Sequence, residues 1–197
     1  MTPRTSTAVR DVDGEPPRRA DAVRNRERVI AAAEEIFAEQ GIDAGIPEIA
    51  ERAGVGKGTV YRNFESKDEL VAAILALRLS RMDEDILAAL EKPDPGEAMR
   101  EVLKAAAART SALSFRPGFY LPGRHAELDR IKDQVKKHMA KLFKAAQKAG
   151  DVRPDAKVDE LFVLFGGTCR SLADSGQKNP RVWRRHADLV VDAFQPR

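Results

Sequence analysis

The sequence has a single cysteine and no long uninterrupted apolar run. Because Cys169 has no second cysteine to pair with, an internal disulfide is excluded, and the lone thiol fits a reducing compartment. A transmembrane helix needs about 18 consecutive apolar residues, and the sequence has no such window. The amino terminus also lacks the apolar core of a signal peptide. We therefore expect a cytoplasmic protein that does not enter a membrane.

The sequence also lacks the short motifs that carry enzyme chemistry. It contains no nucleophile motif, no glycine-rich phosphate-binding loop and no paired set of metal ligands. His125 and Asp129 are spaced to share one helix face, which suits two metal ligands, but no second pair accompanies them. We therefore predict that the protein is not an enzyme and that it has no catalytic residues, metal or cofactor.

Helical periodicity runs through most of the sequence, and no strand-like alternation accompanies it. Hydrophobic residues make up 43% and charged residues 33%, which is ordinary for a globular protein with a buried core. We predict an all-α fold in three parts: a disordered Arg- and Pro-rich arm at residues 1–23, a three-helix domain at residues 24–69, and a larger helical domain at residues 70–197. A capping box that begins at Ser66 opens the helix that joins the two domains.

The stretch PEIAERAGVGKGTVYRNF, residues 47–64, predicts a helix-turn-helix. One short helix ends at Gly54, where the turn needs a positive φ, and a second helix runs from about Lys57 to Phe64. Val60 and Phe64 point inward, which leaves the other face of the second helix for the major groove of DNA. The residues on or near that face are Lys57, Gly58, Thr59, Tyr61, Arg62 and Asn63. Gly58 lowers helix stability by roughly 1 kcal/mol relative to alanine, and a close approach of the backbone to DNA is a reason to tolerate it.

Positive charge is concentrated around this motif. Between Arg52 and Lys67 the sequence has Lys57 and Arg62 as further basic residues and Glu65 as the single acid, and such an excess favours contact with a phosphate backbone. Because bidentate contact of arginine with guanine is the commonest specific contact, Arg62 is a candidate base reader. Asn63 contacts DNA, caps its own helix or is simply solvated. The arm either reaches the minor groove or forms a passive tail. Its candidate arginines are Arg18, Arg19 and Arg24.

Two helices near the carboxy end have unusually extensive apolar surfaces. The segment LFVLF, residues 161–165, is apolar on every side of a helix, and the final helix carries an apolar stripe at helical spacing. The members of the stripe are Trp183, Ala187, Val190 and Phe194. Gly166 and Gly167 would let a neighbouring helix approach closely. The two helices either pack inside one protomer or form a homodimer interface, and the extent of the apolar surface favours the dimer.

Aromatic residues are few, at 6%, and six of them are candidates for lining a ligand pocket. They are Phe115, Phe119, Tyr120, Phe143, Phe162 and Phe165. The first three lie in SFRPGFYLPGR, where two turns break the helical periodicity, so we expect them at the pocket or its entrance. The other three are expected further in. Ordinary core packing is the alternative for each.

The stretch from about Arg26 to Leu70 closely resembles the amino-terminal domain of TetR-family transcriptional regulators. The resemblance is carried by RERVIAAAEEIFAEQG followed by IPEIAERAGVGKGTVYRNFESKDEL, including the Ala-Gly-Val turn and the Gly-Thr-Val-Tyr run. It implies a homodimeric repressor that dimerises through its last two helices and leaves a palindromic operator when a small-molecule effector binds its carboxy-terminal domain. It also implies that Tyr61 and Lys67 contact phosphates. The residues implied nearer base edges are Lys57, Thr59 and Arg62.

Two glycines depart from the pattern of this family. Gly45 opens the second helix and Gly56 precedes the recognition helix, at positions where the family often has Thr or Ser. Side-chain caps and hydroxyl contacts are absent there, but backbone amides at the helix starts can still bind phosphate, so both glycines stay among the predicted DNA-binding residues. Two rival functions remain open: a helical enzyme that carries a helix-turn-helix, and an architectural protein that binds DNA without sequence preference.

Overall fold

The computed structural model describes residues 17–111 and 125–196, and in these ranges the chain forms eight α-helices and no strand. The helices are α1 Pro17–Gln40, α2 Ile46–Ala53, α3 Lys57–Asn63, α4 Lys67–Leu90, α5 Pro95–Ser111, α6 Ala126–Ala149, α7 Val158–Asp174 and α8 Pro180–Asp192. The predicted all-α fold is confirmed. Across the same ranges, every helix is too short or too polar to cross a lipid bilayer.

Local signals in the sequence set the ends of several helices. Ser66 Oγ accepts a hydrogen bond from Glu69 N–H at 3.1 Å, and Glu69 Oε2 accepts one from Glu65 N–H at 2.6 Å. This reciprocal pair satisfies amides at the start of α4, as the predicted capping box requires. α6 ends at Gly150, whose φ of 86° lies in the left-handed region that glycine tolerates best.

Buried side chains form two separate cores, and α4 contributes to both. The amino-terminal core lies between α1, α2, α3 and the start of α4, and the larger core is built from the rest of α4 and from α5 to α8. Leu70 and Ile74 are fully buried in the first core, and Met82 is the first buried α4 residue of the second. The first two turns of α4 therefore complete the amino-terminal core, which extends past the boundary predicted at residue 70.

The predicted amino-terminal arm is partly helical. Residues 1–16 lie outside the described residues, but α1 includes residues 17–23, which were predicted to be disordered. The buried half of α1, with Val29 and Phe37, fixes the helix in place. Once a helix is nucleated, each added residue costs little free energy, and an exposed ion pair between Arg24 Nη2 and Asp21 Oδ1 at 2.8 Å supports the added turn.

The two carboxy-terminal helices differ in how well the protomer covers them. The apolar stripe of α8 packs inside the protomer, where Trp183 and Phe194 are almost fully buried. In α7, Leu161 is buried, whereas Val163 is 72% exposed and Leu164 is 46% exposed. The exposed apolar side chains of α7 still favour a second subunit that would bury them. The apolar stripe near the carboxy end gives no such support, because the protomer already buries it.

Candidate nucleic-acid interface and effector cavity

The turn between α2 and α3 is closed by backbone hydrogen bonds around Gly54. The φ of Gly54 is 64°, and its N–H donates to Glu51 O at 3.0 Å. Val55 N–H donates to Ala50 O at 3.0 Å, which completes a glycine-terminated helix end. Arg28 Nη2 of α1 donates to Gly54 O at 3.3 Å. A side chain at position 54 would strain this backbone and meet Arg28, so the turn requires glycine.

One face of α3 is buried and the other is exposed, as predicted. Val60 has no exposed surface, and Phe64, which follows the helix as its cap, is 2% exposed. Tyr61 is 55% exposed on the opposite face. The exposed residues of α3 are Lys57, Gly58, Tyr61 and Arg62, and its half-buried ones are Thr59 and Asn63. The six predicted contact residues of α3 therefore all retain exposed surface.

Two side chains of α3 fold back onto their own helix. Arg62 Nε donates to Gly58 O at 3.1 Å, and its Nη2 donates to Thr59 Oγ1 at 3.1 Å. Asn63 Nδ2 donates to Thr59 O at 2.7 Å. Arg62 is exposed, so it can exchange these two intrahelical hydrogen bonds for hydrogen bonds to a base edge. Asn63 is half-buried, and its side-chain amide donates to a carbonyl of its own helix.

Neither Gly45 nor Gly56 provides a side-chain cap. Gly45 precedes α2 with a φ of −86°, and Gly56 precedes α3 with a φ of −71°. At Gly45 the Glu48 carboxylate occupies the space that a Cβ would need, with Oε2 only 2.7 Å away. At Gly56 nothing lies within 4 Å of such a Cβ. The start of α3 therefore has room for a capping side chain that this sequence does not supply.

The positive charge available near α3 is smaller than the sequence suggested. Arg52 Nη1 lies 2.9 Å from Glu35 Oε2, and its Nη2 lies 2.8 Å from Glu39 Oε2. Hydrogen bonds within this cluster raise the pKa of Arg52 and lower the pKa of Glu39. Arg52 therefore joins α2 to α1, and two carboxylates offset its charge. The remaining cations of the basic stretch are Lys57, Arg62 and Lys67.

Lys67, the first residue of α4, is partly fixed by an aromatic ring. Its Nζ lies 5.7 Å from the centre of the Phe37 ring, a distance suited to a cation–π contact. The side chain is half-buried. The ammonium group of Lys67 is therefore held beside the amino-terminal core, at the start of α4.

Two arginines of α1 adjoin the helix-turn-helix without having been singled out in the sequence. The guanidinium carbon of Arg26 lies 4.9 Å from the centre of the Phe64 ring at the end of α3. Arg28 makes the bond to Gly54 that braces the turn. Each contact joins residues far apart in the chain, so no local pattern could have indicated it.

A cavity of about 350 Å³ lies in the larger domain between α4, α5 and α7. This volume is at the small end of the range for ligand pockets. Apolar side chains form most of the wall, and they include Leu75, Leu79, Met82, Ala106 and Phe165. The polar lining consists of Arg78, Arg109, Thr110, Cys169 and Arg170. Such a lining suits a ligand with an apolar body and a polar group.

The aromatic residues predicted to line a pocket have different environments. Phe165 lines this cavity, whereas Phe162 lines a separate groove beside Lys132. Phe143 is 3% exposed and packs edge-to-face on Phe194 with ring centres 5.8 Å apart, so it belongs to the core instead of the cavity. Apolar spacing alone does not distinguish these two environments. Three further candidates lie outside the described residues, namely Phe115, Phe119 and Tyr120.

Cys169 is a buried thiol in the cavity wall. Burial raises the pKa of this thiol to about 12, so its reactive thiolate form is scarce at neutral pH. Within residues 17–111 and 125–196, no three His, Cys, Asp or Glu side chains are grouped to hold a metal ion. His125 Nε2 lies 3.1 Å from Asp68 Oδ2 at the start of α4.

A helix-turn-helix with an exposed second helix, mounted on a helical domain that encloses a cavity, defines the class of helical transcriptional regulators. Residues 29–74 match the family model of bacterial regulatory proteins of the tetR family. Residues 94–196, more than half of the chain, match the C-terminal domain of SbtR-like transcriptional regulators. The chain therefore belongs to the TetR family, whose members are DNA-binding regulators and not enzymes.

Individual relatives agree with this assignment. The chain is 43% identical over 67 residues to TtgW of Pseudomonas putida, an uncharacterized HTH-type transcriptional regulator; the match covers 34% of this chain and 50% of TtgW. It is 32% identical over 91 residues to the HTH-type transcriptional repressor BepR of Brucella suis, covering 45% and 44% of the two chains. The chain thus spans half or less of these curated relatives.

A solved structure extends the similarity over both domains. The TetR transcriptional regulator SCO0520 from Streptomyces coelicolor superposes with a TM-score of 0.62 at 27% sequence identity. The match covers 87% of this chain and 98% of that chain. The same order of helices is therefore shared from the DNA-binding end to the carboxy-terminal domain.

Proposed function

We propose that this protein is a homodimeric repressor that binds a palindromic operator through α3 of each protomer and leaves it when a small molecule binds in the cavity. The observation that carries the proposal is α3 itself, which is anchored by Val60 and exposes Lys57, Tyr61 and Arg62. Such a second helix of a helix-turn-helix enters the major groove. BepR, one of the relatives matched above, is a repressor, and we propose the same direction of control here.

We assign the exposed residues to two kinds of DNA contact, with base edges and with backbone phosphates. Arg62 would give up its exposed bonds to Gly58 and Thr59 for a bidentate contact to guanine, an exchange of one set of hydrogen bonds for another. Lys67, held against Phe37, and the exposed Tyr61 would contact phosphates. The base edges would thus be read from α3, and Lys67 would fix its position.

Dimerisation is supported by the exposed apolar surface of α7. Val163 and Leu164 present large side chains to solvent, and Leu189 of α8 is 46% exposed. Nothing lies within 4 Å of a Cβ built at Gly167, so the helix surface is open there. Pairing two such surfaces across a twofold axis would remove their apolar area from water.

A matched pair of substitutions tests this interface. Leu164 of α7 and Leu87 of α4 are the same residue type and are 46% and 45% exposed. We expect Leu164→Asp to yield monomers and Leu87→Asp to remain dimeric in light scattering at equal protein concentration. A dimeric Leu164→Asp variant would show that α7 does not form the interface.

The effector response is supported by the position of α4, which completes the DNA-binding core and also lines the cavity. A ligand that binds one arrangement of α4 better than another shifts the population between two dimer states. In one state the two α3 helices match successive major grooves, and in the other they do not.

Selection of binding sites from random duplex DNA at moderate salt tests the proposal as a whole. We expect a palindromic motif, and Arg62→Ala should relax preference at one position of each half-site. Equal loss of affinity for cognate and scrambled DNA would remove Arg62 from base reading. Enrichment of no motif, with affinity that falls equally with salt on every sequence, would favour the architectural function instead.

A further inference from the structure

Arg78 lies where the two domains and the cavity meet. It is one helical turn after Ile74 of the amino-terminal core and one turn before Met82 of the larger core. Its Nε lies 2.9 Å from Glu34 Oε1 on α1, and its Nη1 donates to Arg109 O on α5 at 3.2 Å. The same side chain lines the cavity. A single guanidinium therefore joins the DNA-binding domain to the cavity wall.

Among the described residues, the cavity lining has three arginines, Arg78, Arg109 and Arg170, and no carboxylate. Two carboxylates pair with these arginines: Glu34 with Arg78, and Asp85 with Arg109. Burial lowers the pKa of Arg78; Glu34 opposes this shift, and the charges of Arg81 and Arg109 add to it. An anion that entered the cavity would therefore be attracted to Arg78 and would reduce the repulsion between the arginines.

The carboxylate that now pairs with Arg78 has room to move. The Glu34 side chain is 22% exposed, and it also lines a second cleft, of about 530 Å³, between α1, α4 and α6. Glu34 can therefore turn toward solvent in that cleft. Because a second carboxylate would take its place on Arg78, the guanidinium would not be left as an unpaired buried charge, which is the costly outcome.

The rest of the cavity lining determines the chemistry of the remainder of the ligand. Beyond Arg78 the α4 wall is formed by apolar side chains, Ala106 of α5 adds to it, and Phe165 of α7 also lines the cavity. A fully polar anion would leave these groups in contact with water and gain nothing from them. A hydrocarbon body attached to the anion would bury them.

We propose that the effector is a carboxylate on a hydrocarbon body, whose apolar part fills the cavity and whose carboxylate binds Arg78 in place of Glu34. The consequence for DNA rests on the function proposed above: loss of the Glu34 contact removes an ion pair between α1 and α4 and lets the DNA-binding domain change position. The exchange also makes Glu34 a competitor of the ligand. Removing its charge therefore strengthens ligand binding and weakens the operator-bound arrangement.

Binding is measured first without DNA, by calorimetric titration of the full chain with three eight-carbon probes: octanoate, octan-1-ol and octylammonium. We expect octanoate to bind about tenfold or more tightly than octan-1-ol, because hydrogen bonds to a charged group are the stronger kind. Octylammonium should bind least, because the arginines repel it. Equal affinity for the three probes would overturn the proposal.

Three substitutions locate the charge that is responsible. We expect Arg78→Met to reduce octanoate affinity to that of octan-1-ol, and Arg78→Lys, which keeps the charge without the guanidinium fork, to give an intermediate value. The control is Arg81→Met, which removes a nearby arginine that does not line this cavity and should lower octanoate affinity far less than Arg78→Met does. An Arg78→Met protein that binds octanoate as the parent does would refute the role of Arg78.

The exchange with Glu34 has its own test. Glu34→Gln should bind octanoate roughly fivefold more tightly than the parent, since the competing charge is gone; unchanged or weaker binding would overturn the exchange. Release of the selected operator by octanoate is measured separately. Charge-selective binding and the Glu34 effect without operator release would support the site and refute the effector-driven release of the proposed function.

Discussion

Replacing Gly58 with alanine separates the stability of α3 from its contact with DNA. Gly58 is the second residue of α3 and is exposed. Nothing in the described structure lies within 4 Å of a Cβ built there, and its φ is not in the left-handed region. The added methyl group therefore meets no neighbour and strains no backbone. Any loss of DNA affinity in this variant must therefore come from a contact between the methyl group and the DNA.

The substitution should change stability and DNA affinity in opposite directions. Alanine loses less backbone entropy on folding than glycine, so we expect the free energy of unfolding to rise by about 0.5–1 kcal/mol. For a chain of this size this corresponds to roughly 1–4 °C in Tm. On DNA, the methyl group stands on the face that Lys57 and Arg62 expose. If the backbone of α3 approaches DNA there, operator affinity falls about tenfold, or ~1.4 kcal/mol.

The assay needs both quantities from the same preparation. Urea unfolding is followed at fixed protein concentration, because the apparent stability of a dimer depends on concentration. Operator affinity is measured by fluorescence anisotropy at one salt concentration. For the unfolding measurement alone, the matched variant is Gly56→Ser, which also adds a side chain into open space near the start of α3. A more stable Gly58→Ala protein with unchanged operator affinity would refute the close approach of α3 to DNA at this position.

Three further predictions concern single residues. Gly56→Ser should raise the free energy of unfolding by a few tenths of a kcal/mol to about 1 kcal/mol, because serine caps the exposed amides of α3 and restricts the unfolded chain; urea unfolding measures it, and a loss of stability would contradict the open geometry at Gly56. Lys67→Ala should weaken cognate and scrambled DNA alike and flatten the salt dependence of log K by about 0.9 for each phosphate that the variant no longer neutralises; an unchanged slope would remove Lys67 from the phosphate contacts. Cys169 should react slowly with a thiol-specific reagent from pH 7 to 9 and rapidly once the protein is unfolded, because its thiolate forms only as the pH rises toward 12; fast reaction in the folded protein at pH 7 would contradict its burial.

Local features of this protein followed from the sequence by itself. Gly54 ends its helix in a left-handed conformation, and Ser66 caps α4, as their positions predicted. Val60 and Phe64 are buried and α3 exposes its opposite face, because apolar spacing within one helix fixes which side can enter a core. Each of these features depends on residues within about one helical turn of one another. Both partners of each interaction can therefore be identified from a short stretch of sequence.

Contacts between distant segments were decided only by the tertiary structure. Arg52, which the sequence offered for DNA, is paired with carboxylates of α1, and Phe143, offered for a ligand, packs on Phe194. Arg78 meets Glu34 across 44 residues of sequence. The sequence specifies the charge and size of these side chains. It does not specify their partners, because an arginine or an aromatic ring is compatible with many environments. Which environment it occupies depends on how whole helices dock, and that is set by the sum of packing over both cores.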